Sequence, residues 1–110
     1  MGAVNTYEYG FGKTMEEAFD DACYQAECEY GMDTYNGKIN NCYKPKLMKP
    51  PSRFGTKLYD KWEEKQIDKL DKRECIAVEI TGKMAVDLKK RYGYFKTHKK
   101  VYHFFGVAPY

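Results

Sequence analysis

At 110 residues, with 43% of them hydrophobic and 16% aromatic, the chain is sized for one domain (1–110) with a single sheet and one or two helices, and it is too apolar to be a disordered tail. The formal charge of +3 conceals a polarity: residues 1–37 carry eight acids and one base, residues 38–110 eighteen bases and eight acids. No stretch approaches the about 18 to 20 apolar residues that a membrane-crossing helix needs, and no charged segment followed by an apolar one opens the chain, so neither export nor a membrane anchor is expected.

Ala3 to Tyr9 combines Val, Thr and two Tyr without a breaker, which predicts a first strand stopped by Gly10-Phe11-Gly12. Thr14 and Glu17 have the spacing of a capping box. Met15, Ala18, Phe19, Ala22, Ala26 and Tyr30 then recur at helical spacing until Gly31, which predicts a long amphipathic N-terminal helix with an alanine stripe. Tyr35-Asn36-Gly37 reads as a turn and Lys38 to Tyr43 as a second strand. Pro45, Pro50 and Pro51 break up a Lys-rich segment over about 44–55, read as a mobile basic loop. A helix from Thr56 to about Lys72 follows. Ile76, Val78 and Ile80 alternate as the inward face of a strand, Cys75 to Ile80. Met84 to Arg91 is read as a short helix. Tyr94 to Ala108 is read as a closing hairpin that turns around Thr97 to Lys100, with Val101, His103, Phe105 and Val107 on one face. The class is α+β: a small antiparallel or mixed sheet with helices on one face.

The motifs point to binding rather than catalysis. Gly10-Phe11-Gly12-Lys13-Thr14 resembles a phosphate loop in composition, but Tyr7 stands where that motif needs its first glycine, and Glu16 and Glu17 would repel phosphate. Capping is the better reading. The helical ladder Glu16–Asp20 and Glu17–Asp21 is either a solvated face or a surface that docks a protein partner. Cys23 and Cys28 lie about 140° apart around a helix and cannot clasp one metal. The four cysteines are expected to be reduced thiols. Neither a catalytic residue, a metal nor a cofactor is assigned, because no nucleophile motif surrounds a cysteine and neither His98 nor His103 has a partner defined by spacing.

The segment Lys89 to Lys100 interleaves six Lys and Arg with rings and holds no acid. Bases neutralise phosphates and rings stack on nucleobases, so Arg91, Tyr92, Tyr94, Lys96, Lys99 and Lys100, joined by Arg53 from the basic loop, form a candidate site for an anionic nucleotide-type ligand. A solubilising surface over an aromatic core would have the same composition.

Lys13-Thr14, Glu17-Ala18-Phe19, Ala22, Ala26, Glu29-Tyr30-Gly31 and Tyr35-Asn36-Gly37-Lys38-Ile39, with Phe104-Phe105-Gly106-Val107-Ala108, resemble a pattern in small bacteriophage proteins. The basic middle, Lys44 to Lys72, departs from that pattern. The resemblance implies a phage protein acting in the cytoplasm of a host cell. By analogy with small phage inhibitors of Thoeris, CBASS and CRISPR defences, it would sequester a nucleotide signal or dock on a host defence protein or nucleoprotein. The charge polarity predicts a homo-oligomer, and a nucleic-acid-binding or nucleotide-processing role is a further reading.

Overall fold

A computed structural model describes residues 2–31, 37–94 and 97–109. Its elements run β1 (Ala3–Gly12), α1 (Met15–Tyr30), a 3-10 turn (Ile39–Asn41), β2 (Lys46–Leu47), α2 (Lys57–Asp68), β3 (Cys75–Ile80), α3 (Gly82–Arg91) and β4 (Lys100–Pro109). The fold is α+β, with a four-stranded mixed sheet in the order β1-β4-β3-β2. β4 is antiparallel to both neighbours, and β2 runs parallel to β3.

Four expectations are corrected. The amphipathic helix is not N-terminal: it follows a strand and spans 16 residues. The helices do not share one face. Successive β4 side chains point to opposite sides of the sheet; Phe104 packs with Ala18, Ala22 and Ala26 of α1, while Phe105 packs with Tyr59 and Ile67 of α2. Leu88 of α3 joins Val101, Ile80 and Phe11 on the α2 side. Lys38 to Tyr43 is no strand but contains the 3-10 turn, and the short β2 comes later. The closing hairpin is instead one ten-residue strand, β4, in the middle of the sheet, paired with β1 from Ala3↔Pro109 to Gly12↔Lys100. The Tyr35-Asn36 part of the expected turn lies outside the described residues.

β1 also continues through the glycines expected to end it, and contact with α1 explains why. A Cβ on Gly10 would overlap the Ala18 carbonyl oxygen and lie 2.7 Å from the Phe104 ring, and one on Gly12 would lie 2.6 Å from the Ala18 nitrogen. Glycine on the strand and alanine on the helix together let α1 lie almost directly on β1. Thr14 caps α1 by accepting from the Glu17 N–H at 3.2 Å, and Glu17 in return accepts at 2.9 Å from the N–H of Lys13, one residue before the cap, a variant of the expected capping box.

Among the described residues, no helix is long and apolar enough to cross a membrane.

Candidate site on the helix-covered aromatic face

α3 ends in Lys89, Lys90 and Arg91, cations that interact favourably with the carbonyl end of the helix. Gly93 then takes a positive φ of 82° and turns the chain back. Lys89 Nζ donates to the Thr97 carbonyl at 2.8 Å and holds the returning segment. The rings of this segment close over the end of β1. Tyr94 stacks on Phe11 at 4.5 Å between centroids, and Tyr92 lies 5.5 Å from Phe11 and 6.1 Å from Tyr9. Lys99 Nζ sits 4.7 Å from the Tyr94 ring centroid. Lys100 opens β4 opposite Gly12. Arg91, Tyr92, Tyr94, Lys99 and Lys100 are thus brought to one end of the sheet; Lys96 lies outside the described residues.

Arg53 comes from the other basic segment. That segment, expected to be a mobile loop, is tied down by the Met48 N–H on the Ala77 carbonyl at 2.9 Å and by the Thr56 hydroxyl on the Arg53 carbonyl at 2.8 Å. Arg53 is exposed on the wall of a groove of about 1270 Å³ between this segment, β3 and the start of α3. Its neighbour Phe54 packs inward, 6.0 Å from Tyr9, 5.0 Å from Tyr59 and 4.9 Å from His103. Phe54, Tyr9 and Tyr92 therefore form a continuous row of rings that joins the two basic segments.

Behind the row lies a polar cluster that the sequence reading missed. His103 occupies the central strand and is 7% exposed; its Nδ1 lies 3.2 Å from Glu63 Oε1 and 3.3 Å from the Tyr59 hydroxyl. Tyr59 donates to the same carboxylate oxygen at 3.3 Å. Tyr59 and Glu63 are four apart, so one face of α2 presents both to the imidazole. With the phenol donating to the carboxylate, the imidazole proton belongs on Nδ1, and the lone pair is on Nε2. Both of the imidazole's hydrogen-bond contacts are at Nδ1. Among the described residues no buried side-chain nitrogen or oxygen lacks a partner, so the Nε2 edge keeps contact with solvent. The ring stacks on exposed Tyr7 at 6.2 Å and leans on Tyr9 at 5.3 Å. This arrangement offers a fixed hydrogen-bond acceptor at the bottom of an aromatic wall. Burial pushes the Tyr59 phenol up, and so does the adjacent Glu63 carboxylate. Tyr9 is pushed up by burial and by Tyr92, while nearby Arg91 opposes the shift.

The acidic residues read as a docking ladder have other tasks. Glu17 ties the start of α1 to the Lys13 N–H. Asp21 accepts from the Phe11 N–H at 3.1 Å, on the outer edge of β1. Glu16 reaches Lys44 at 3.4 Å across an exposed gap. Asp20 is exposed. Among the described residues, no three His, Cys, Asp or Glu side chains converge as a metal site would require.

No family model, no curated protein and no solved structure matches the chain.

Proposed function

We propose that the protein is a non-enzymatic binder of an anionic nucleotide-type ligand, held on the aromatic face between α2 and α3. The row Phe54–Tyr9–Tyr92 carries the reading, because it places stacking surfaces between the cations of two segments far apart in sequence. A base stacks on Tyr92 or Tyr7, phosphates meet Arg91, Lys99 and Arg53, and His103 Nε2 accepts a hydrogen bond from the base or sugar, while Lys100, on the α1 side of β4, takes no part. The phage resemblance supplies the setting, counter-defence by sequestering a nucleotide immune signal in the host cytoplasm. The alternative, docking on a host nucleoprotein through the acidic helix, is less favoured, since Glu17 and Asp21 are engaged within the fold.

The test is native mass spectrometry of the protein purified from defence-active cells, followed by denaturation and analysis of what is released. An intact nucleotide from the wild type, and about tenfold weaker retention by Tyr92→Ala in line with a stacking contribution of about 1–3 kcal/mol, supports the reading. Release of a converted product would replace it with an enzymatic role for His103. An empty wild-type protein would move the assignment to a macromolecular partner.

A further inference from the structure

On the opposite side of the sheet from His103, the chain brings two cysteines together. The Tyr43 N–H donates to the Arg73 carbonyl at 2.7 Å, which lays residues 42–43 alongside 73–75. The side chains converge as well. Cys75 Sγ donates to the Tyr43 carbonyl at 3.1 Å, and Cys42 packs against the core cluster that contains Cys75. Cys42 Sγ donates to the Val107 carbonyl at 3.8 Å, next to Gly106, the residue of β4 that pairs with Cys75.

Their environments differ. Cys75 is buried and Cys42 partly exposed. Beside them stands Arg73, a non-glycine residue with a positive φ of 74°, whose guanidinium donates to the Asn41 carbonyl at 3.0 Å. The neighbouring Cys75 and, less strongly, the charge of Arg73 pull the Cys42 thiol down against the opposing effect of burial. Cys75 is pushed up, first by Cys42 and then by burial. A thiolate is the reactive form of cysteine, so the two divide into an attacking and a resolving sulfur.

We propose that Cys42 and Cys75 form a redox-active dithiol that reduces hydrogen peroxide and closes to a disulfide. The Cys42 thiolate attacks one peroxide oxygen; the O–O bond breaks, and the leaving hydroxide takes a proton and departs as water. The Cys75 sulfur then attacks the resulting sulfenic acid. The S–S bond forms, the S–O bond breaks, and the second water leaves with the Cys75 proton. Both sulfurs are oxidised and one peroxide becomes two waters. The disulfide reopens with a thiol reductant.

The folded full chain is treated with hydrogen peroxide, its remaining thiols are alkylated under denaturing conditions, and the peptides are mapped by mass. The expected result is a monomer lighter by about 2 Da whose linked peptides carry Cys42 and Cys75, reversed by dithiothreitol. In Cys75→Ser, dimedone traps the sulfenic acid on Cys42. Wild-type mapping decides by itself if that variant does not fold. Cys42 and Cys75 both alkylated after exposed Cys28 has been oxidised would overturn the proposal. So would a bridge joining Cys42 to Cys23, the neighbouring thiol, which burial pushes up to about 12.

Discussion

The Tyr59 hydroxyl joins a partly buried carboxylate and a buried imidazole in one small network, so deleting one oxygen tests it. Tyr59→Phe keeps the ring against Phe54 and Trp62 and removes both hydrogen bonds. The expected cost is about 1 kcal/mol, read as a lower urea midpoint at neutral pH. The pH dependence follows from the same residue. Folding raises the phenol's pKa above its unfolded value near 10, so the folded chain holds that proton more tightly. Its contribution is complete below about pH 10 and is lost as pH rises beyond it. The wild type should therefore lose stability between pH 9 and pH 11, and Tyr59→Phe should lose less over the same interval; equal losses would mean that the other buried phenols dominate. Gly10→Ala addresses a different constraint. The new methyl would overlap the Ala18 carbonyl, and neither backbone can retreat without opening the contact between α1 and β1. A loss of about 3 kcal/mol, at the upper end for overpacking, is expected from thermal unfolding.

The acids of α1 separate capping from surface charge at the scale of the element. Asp21→Lys removes the acceptor for the Phe11 N–H at the outer edge of β1 and should cost about 1–2 kcal/mol, whereas Asp20→Lys, one residue earlier and exposed, should stay within about 0.5 kcal/mol. Equal effects in chemical unfolding would return both residues to the solvated-face reading. The elements legible in the sequence were those that local chemistry defines. The Thr14/Glu17 box and the alanine stripe marked α1, and alternation of Ile76, Val78 and Ile80 marked β3, Cys75–Ile80. Met84 to Arg91 contained most of α3. What local chemistry does not encode is partnership. β4 is a central strand because β1 and β3 flank it, and its alternating Val101, His103, Phe105 and Val107 showed the inward face without showing what would lie beside it. The basic and aromatic residues of the candidate site were legible for a related reason: all but Arg53 lie in one short segment. The His103 cluster was not, since Glu63 sits in a helix of mixed charge and meets His103 only through the fold. The one local clue was the four-residue spacing of Tyr59 and Glu63.

For the molecule as a whole, β1 is an edge strand of ten residues without Lys or Pro, residue types that discourage edge-to-edge pairing. The Phe11 N–H points outward to Asp21, so Asn5, Tyr7 and Tyr9 direct their backbone groups the same way. That edge gives the expected homo-oligomer a physical basis. Native mass spectrometry should show a multiple of 12.9 kDa, and Tyr7→Lys should shift it to the single chain; a wild type already at 12.9 kDa would remove the oligomer from the reading. The same strand has a mechanical consequence. β1 and β4 lie antiparallel with Ala3 opposite Pro109, so tension applied at these two positions pulls along the hydrogen bonds and loads them one at a time rather than shearing them all together. The pair would unzip rung by rung from Ala3 and Pro109 toward Gly12 and Lys100. The fold would yield to a gentle pull applied at Ala3 and Pro109, although the strands being parted are the longest in its sheet.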